Sequence, residues 1–180
     1  DTQTSRGLGD VYKRQTAALA VATVAYALED RTLDFPADYK SEFTQYYSGD
    51  RLLADTQTIT LFANKVATDG VAKDGVLPSG SVLVAEIYAA KTDDKGEVIE
   101  SALGRRIQGE FKAVAVMELR DGWGEQYPED LNVGDWEFEL FSPAGKNLNK
   151  DTAKACRGCH VPLGDTQYLF SLEHLMAAAK

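Results

Sequence analysis

Hydrophobic and polar residues alternate with a period of two along several short stretches of the chain. The clearest stretches are rich in β-branched and aromatic side chains, at residues 59–63, 81–89, 111–119 and 136–141. Such alternation predicts β-strands, because successive side chains of a strand point to opposite faces of the sheet. Turn signals such as Pro78-Ser79-Gly80 and Asp121-Gly122 bound these stretches and favour antiparallel connections.

The alternation also assigns side chains to faces. In the strand predicted at residues 81–89, one face carries the apolar side chains Leu83, Ala85 and Ile87. In the strand predicted at residues 136–141, the side chains expected inside are Trp136, Phe138 and Leu140, and those expected in solvent are Glu137 and Glu139. These patterns predict a sheet that carries much of the core.

Three other stretches carry helix signals. Near the N-terminus, Pro36 in a first turn is followed by aromatic residues at i, i+4 and i+7, namely Tyr39, Phe43 and Tyr46. Later, Asp151-Thr152 predicts the cap of a helix that carries residues 156–160. Asp165 predicts the cap of a last helix with the inward side chains Tyr168, Leu172, Leu175 and Met176. We therefore expect a mainly β (α+β) fold, with an antiparallel sheet core and N-terminal, motif-bearing and C-terminal helices.

The strongest chemical signal is the pattern Cys-x-x-Cys-His at Cys156, Cys159 and His160. This spacing is typical of covalent haem attachment, in which each thiol adds across a vinyl group and the imidazole becomes an axial iron ligand. On one helical turn the three side chains share a face, so all of them can meet a single porphyrin. The motif predicts one covalently attached haem c with His160 as the iron ligand.

Two other uses of a cysteine pair stay open on the residues alone. A structural zinc ion needs four ligands, and the only further cysteine or histidine in the chain is His174. A thioredoxin-like dithiol follows a strand in a βαβ unit, whereas this pair lies late in the chain without such a unit. Haem attachment is the favoured interpretation, with zinc binding and dithiol chemistry as the alternatives.

The N-terminal region has features of an export leader. Residues 16–26 form an apolar run of small residues that leads into Ala25-Tyr26-Ala27, the form of a signal-peptidase site. We expect a leader at residues 1–27, of which residues 1–15 resemble foreign, adapter-derived sequence, and a single haem-binding domain at residues 28–180. Because covalent haem attachment follows export, the leader and the motif together favour a periplasmic protein.

The net charge of the chain limits the kinds of partner that it is expected to bind. The formal net charge is −9 at pH 7, from 19 basic and 28 acidic side chains. Such a charge disfavours binding to nucleic acid or to anionic membrane surfaces. It favours solubility and a cationic, soluble redox partner.

The late position of the motif in the chain bears on whether the protein can supply a second axial ligand to the iron. His174 and Met176 follow it within one or two helices, on the attachment side, and Met117 is a candidate for the core by burial statistics. We therefore expect no protein ligand on the distal side and an open sixth iron position.

The order and spacing of several patterns resemble the cytochrome P-460 family of β-rich, mono-haem c-type cytochromes, with its sister group cytochrome c′-beta. The patterns cover most of the chain from Phe35 onward: Phe35-Pro36-x-x-Tyr39, Pro78-x-Gly80-x-Val82-x-Val84-x-Glu86, Trp136-x-Phe138, Cys156 to His160, and Tyr168-x-Phe170. The resemblance implies a predominantly β fold, usually a homodimer, with His160 as the proximal ligand and a vacant distal site for small nitrogen species.

One position departs from the crosslinked members of that family, which tie a lysine to the porphyrin and oxidise hydroxylamine. Their lysine lies in the register Val-x-Val-Lys-Glu, and here that position is Ala85, before Glu86. The resemblance therefore implies the uncrosslinked cytochrome c′-beta group. With Leu83 and Ile87 on the same face as Ala85, the distal pocket would be small and dry, and it would admit a diatomic gas such as nitric oxide.

A catalytic carboxylate is a further expectation from the resemblance. The crosslinked members use a pocket carboxylate to move protons, and Glu118 is the nearest acid in the corresponding strand. Desolvation beside haem would raise its pKa and suit it to act as a general base, whereas a strand-end glutamate in solvent is the alternative. A hydroxylamine- or nitric-oxide-converting enzyme and a six-coordinate electron carrier are the other functions left open.

Overall fold

One antiparallel β-sheet organises the fold. The computed structural model describes residues 33–125, 127–148 and 152–180, except for the side chains of residues 152 and 153. Within these residues the sheet has five strands in chain order: β1 (Thr44–Asp50), β2 (Gln57–Ala63), β3 (Val82–Ala90), β4 (Gln108–Leu119) and β5 (Trp136–Phe141). Each strand pairs antiparallel with the next, so the sheet is a meander. The predicted mainly β (α+β) fold is confirmed.

Short helices connect and cover the strands. In the described part of the chain they are α1 (Tyr39–Glu42), α2 (Lys65–Asp74), α3 (Thr152–His160) and α4 (Leu172–Ala178), with 3₁₀ segments at Glu129–Leu131 and Val161–Thr166. Among these described helices, none has the length and apolar character that crossing a bilayer requires. The predicted leader at residues 1–27 and the predicted cap residue Asp151 lie outside the described residues.

The N-terminal helix is shorter than the aromatic spacing predicted. α1 has four residues, and at Phe43 the backbone is already extended, with φ −94° and ψ 151°. Tyr46 therefore lies in β1. The prediction was wrong because the aromatic and β-branched residues near Phe43 also favour a strand, and pairing with β2 satisfies their backbone groups.

Both faces of the sheet bury apolar side chains, and different elements cover them. The N-terminal face packs against the segment that precedes β1, and its core consists of Leu33, Tyr39, Phe62, Val84, Val114, Val116 and Phe141. The helix face packs against α2 and α4, and its core consists of Ala63, Ala67, Val71, Leu77, Leu83, Val133, Trp136, Phe138, Leu169 and Leu175. Side chains of the central strand β3 alternate between the two cores, as predicted.

The acids of β5 do not point into solvent. Glu137 and Glu139 are 2% and 5% exposed, so their predicted outward position was wrong. The alternation itself is correct, but Tyr127 and Arg157 cover Glu137 from outside the strand, which a local pattern cannot reveal. Leu140, predicted inside, is only half-buried.

The C-terminal helix begins later than Asp165 predicted. Asp165 belongs to a 3₁₀ segment, and the chain then reverses through residues with positive φ, so α4 starts only after Ser171. Leu175 is fully buried, as predicted, but Met176 is 40% exposed, contrary to the prediction. Tyr168 precedes the helix, although its ring still packs against the core of the helix face.

A buried carboxylate ties the N-terminal segment to β3. Glu86 accepts hydrogen bonds from the hydroxyls of Tyr39 and Tyr88, each at 2.7 Å, and its carboxylate lies 2.7 Å from the ammonium of Lys40. Burial alone would raise the pKa of Glu86, but these donors together lower it below its ordinary value. The ionised form is therefore the one that the fold stabilises.

The contribution of Glu86 to stability should depend on pH. Because its folded-state pKa is lowered, the contribution is complete above the ordinary glutamate pKa of about 4.3 and is lost as the pH falls through the folded-state value. Glu86→Gln should reduce the free energy of unfolding by about 2 kcal/mol at pH 7 and by less at pH 3. Denaturant titrations at both pH values measure this, with the exposed Glu97→Gln as control. An equal loss at both pH values would contradict the prediction.

Candidate functional site

Helix α3 presents the two cysteines and the histidine of the motif on one turn. Cys156, Cys159 and His160 stand at i, i+3 and i+4, so their side chains share a face. Cys156 is half-buried against the core of the helix face, and burial raises the pKa of its thiol. Cys159 is exposed, and both thiols are free to form covalent bonds. The structure therefore brings these three predicted site residues together.

Arg157, between the two cysteines, fixes α3 to the edge of the sheet. Its side chain is 1% exposed, and its Nη2 lies 2.9 Å from Oε2 of Glu137. The same nitrogen donates a 2.7 Å hydrogen bond to the carbonyl of Trp136, and the guanidinium carbon lies 3.2 Å from the ring centroid of Tyr127. The motif is thus anchored by a charge-assisted, stacked contact that no sequence pattern indicated.

The imidazole of His160 is held in one tautomer. Its Nδ1 lies 2.6 Å from the carbonyl oxygen of Tyr168, and because a carbonyl can only accept, Nδ1 carries the proton. The ring packs between Phe138 and Phe170, with centroids at 5.0 and 5.1 Å. Burial lowers the pKa of His160, partly opposed by this hydrogen bond, which favours the neutral imidazole. Its Nε2 therefore offers a lone pair to a metal.

An apolar surface with alanines at its centre adjoins this histidine on the sheet. Residues that pair across an antiparallel sheet share a face, and Phe138 pairs through Met117 with Leu83 in a packed row. The next row along the strands consists of half-buried residues only: Leu61, Ala85, Ala115 and Leu140. Beyond it lie Ile59, Ile87 and Ala113. We call these two further rows the apolar floor.

The floor contains part of the predicted pocket. Leu83, Ala85 and Ile87 share the helix face, as the alternation predicted, with Leu83 and Ile87 buried and Ala85 half-buried. The sequence analysis missed Ala113 and Ala115, although both stand in the alternating stretch of β4. Their role emerges only when the register between β3 and β4 is known. None of the floor positions is a lysine.

Glu118 lies apart from this arrangement. It pairs with Val82 and Glu137, so its side chain belongs to the N-terminal face, opposite Ala85. Its carboxylate accepts a 2.6 Å hydrogen bond from Nε of Arg120. Glu118 shares this face with Val116, as the alternation predicted. The structure therefore does not bring Glu118 together with His160 or the floor, and its role as a pocket base stays a prediction.

The donor set fits haem better than a bare metal ion. Across the residues that the structure describes, no group of three or more histidine, cysteine or acidic side chains could hold a metal ion. His174, the fourth ligand that zinc would need, stacks on Tyr47 with ring centroids 4.7 Å apart. Two thiols, one neutral imidazole and a broad apolar floor instead suit a porphyrin, which needs covalent anchors, an axial nitrogen and apolar cover.

A mainly β domain whose helix α3 carries a Cys-x-x-Cys-His motif fits the class of haem-binding cytochromes. The family comparison agrees: the model of the family described as Cytochrome P460 matches residues 36–171. The chain therefore belongs to the cytochrome P460 family, which makes it a haem cytochrome. A search of the curated proteins finds no match.

Removing the anchor of α3 should destabilise the protein strongly. Arg157→Met leaves the carboxylate of Glu137 buried without its cation, and we expect a loss of about 3–5 kcal/mol in the free energy of unfolding. The double variant Arg157→Met/Glu137→Met removes both charges and should recover most of that loss. Guanidinium denaturation measures both, with the exposed Lys154→Met on the same helix as control. A loss in Arg157→Met no larger than that of the control would contradict the prediction.

Proposed function

We propose that this chain is a mono-haem c-type cytochrome in which Cys156 and Cys159 bind the porphyrin through thioether bonds. His160 is the proximal iron ligand. The supporting observation is the joint geometry of α3: two free thiols and an Nε2 lone pair on one helical turn, beside an apolar surface. Arg157 holds this helix against β5, and the Tyr168 carbonyl holds the imidazole.

We further propose that the iron is five-coordinate and binds nitric oxide or a similar diatomic gas. When bound, the haem supplies a metal centre that can accept such a ligand. The floor residues contribute an apolar surface that excludes water and offers a small ligand no hydrogen bond. The observation that carries this proposal is the alanine pair Ala85 and Ala115, which face each other across β3 and β4 at the middle of the floor and are both half-buried.

The composition of the floor also favours gas binding over hydroxylamine oxidation. Crosslinking to the porphyrin needs an amine on the sheet, and Ala85 and its floor neighbours carry none. Glu118 lies on the opposite face of the sheet and could not exchange protons with a ligand above the floor. A binding function, in which a gas is held or buffered, requires neither group.

A six-coordinate electron carrier is the second candidate function. It is favoured by Met117, whose half-buried thioether side chain lies on the helix face between Leu83 and Phe138. In that case the sulfur of Met117 would occupy the position that the first proposal leaves for the gas. The two candidates differ in the spin state of the ferric iron.

The location and partners are proposals from the sequence and its family. The export-like stretch before residue 28 and the attachment motif support a periplasmic protein. The net charge of −9 supports a cationic, soluble redox partner rather than nucleic acid or an anionic membrane surface. Homodimer formation is the usual state that the resemblance implies, and sedimentation of the mature protein tests it.

Absorption spectra of the holoprotein test the proposed function. We expect haem that resists acid-acetone extraction, a high-spin ferric spectrum, and a ferrous spectrum that changes on addition of nitric oxide. His160→Ala should abolish the wild-type spectrum, because it removes the axial nitrogen, whereas His174→Ala on α4 should leave it unchanged. A low-spin ferric spectrum that becomes high-spin in Met117→Leu would instead favour the electron carrier. Steady turnover of hydroxylamine with an artificial acceptor would overturn a purely binding function.

Filling the floor should weaken gas binding. Ala85→Phe places a ring at the centre of the floor, and we expect the dissociation constant for carbon monoxide to rise by about tenfold or more, since a steric cost of about 1.4 kcal/mol is a factor of ten. Titration of the ferrous protein measures it. Ala72→Phe, at an exposed position of α2, is the control. Unchanged affinity in Ala85→Phe would show that the ligand does not bind above the floor.

A further inference from the structure

We propose that Gln167 is the positioning residue of the proximal histidine: its side chain fixes the turn whose carbonyl, from Tyr168, holds the imidazole of His160. This inference rests on the proposed function only in taking His160 as the iron ligand. It assigns a role to a residue outside the motif, whose side-chain hydrogen bonds go to Gly75 and Leu77.

The turn has an unusual backbone. Gln167 and Tyr168 are consecutive residues with positive φ, at 54° and 64°, and neither is glycine. L-residues rarely adopt this left-handed conformation, so two in succession require support from their surroundings. The turn reverses the chain directly after the 3₁₀ segment that follows His160, and this reversal directs the carbonyl of Tyr168 back to Nδ1 at 2.6 Å.

The side chain of Gln167 supplies that support by joining the turn to a distant loop. Its Oε1 accepts a 2.8 Å hydrogen bond from the backbone N–H of Leu77, and its Nε2 donates a 2.9 Å hydrogen bond to the carbonyl of Gly75. One primary amide thus satisfies one donor and one acceptor of the loop between α2 and β3. An alanine provides neither partner, and a carboxylate would lack the donor.

The backbone of the turn is bonded as fully as the side chain. The carbonyl of Gln167 accepts a 3.2 Å hydrogen bond from the indole nitrogen of Trp136, which is 2% exposed. The N–H groups of Gln167 and Tyr168 donate to the carbonyls of Gly164 and Leu163. Since these contacts leave the turn little freedom, the direction of the Tyr168 carbonyl is determined by packing distant in sequence.

The consequence is electronic as well as geometric. A hydrogen bond from Nδ1–H to a fixed acceptor raises the basicity of Nε2 and strengthens its bond to a metal. A loosened turn would lengthen that hydrogen bond and weaken the donation of electron density to iron. The ferric state would then lose more stabilisation than the ferrous state, so the reduction potential would rise.

Three variants test the role of the side chain. Gln167→Ala removes both loop hydrogen bonds, and Gln167→Gly removes them while allowing positive φ at no steric cost. Gln45→Ala, at an exposed position of β1, is the matched control. In ferrous holoprotein we expect the Fe–His stretching band of both Gln167 variants to shift to lower wavenumber and their midpoint potential to rise, with the control unchanged. A wild-type band and potential in folded Gln167→Gly would overturn the proposal.

Failure of the haem assignment is recognised separately. If wild-type protein from a maturation-competent host carries no thioether-bound haem, the proposed function fails, and the positioning role is decided on the haem-free chain. There, ¹⁵N signals of His160 that show the Nδ1–H tautomer in wild type and a tautomer mixture in Gln167→Gly would support it. The same tautomer in both would overturn it.

Discussion

The site depends on the contacts that the buried guanidinium of Arg157 makes with β5. This guanidinium lies on the turn that bears the two cysteines, and it bonds both a carbonyl and a carboxylate of the edge strand β5. A buried ion pair contributes less to net stability than its strength suggests, because both charges lose their hydration. It does penalise every arrangement that leaves one charge alone. The motif helix is therefore held at one place on the sheet, and the side chains of Cys156, Cys159 and His160 take their positions from it.

The two faces of β3 have different roles: one is apolar, and the other carries a buried carboxylate with polar partners. Ala85 contributes to the apolar floor on the helix face, whereas its neighbour Glu86 is bonded on the other face by Tyr39, Tyr88 and Lys40. The polar contacts of Glu86 add to the packing of Leu83 and Ile87 in holding β3, so the small side chain of Ala85 between them is tolerated. A surface of this kind discriminates ligands by size and polarity rather than by specific hydrogen bonds.

The sequence predicted those features that local periodicity or a motif encodes. The strands, the motif helix and the shared face of Leu83, Ala85 and Ile87 followed from alternation and spacing. Features that depend on distant packing were missed. The aromatic residues after Tyr39 fit a helix as well as a strand, and only pairing with β2 decides between them. The burial of Glu137 depends on Arg157, twenty residues later, and the alanines of β4 can be assigned to the floor only from the strand register.

The turn at Gln167 and the start of α4 form hydrogen bonds to residues much earlier in the chain. The hydroxyl of Tyr46 in β1 pairs with that of Ser171, 125 residues away, and Gln167 bonds to Leu77 across 90 residues. Contacts between distant residues are slow to form, because closing a long loop costs chain entropy before the contact can repay it. The motif helix and β5, in contrast, are close in sequence. During folding, the two cysteines would therefore reach their place on the sheet before the imidazole of His160 is fixed by the Tyr168 carbonyl. A chain truncated after His160 would keep both cysteines and the histidine but lose the carbonyl that orients the imidazole.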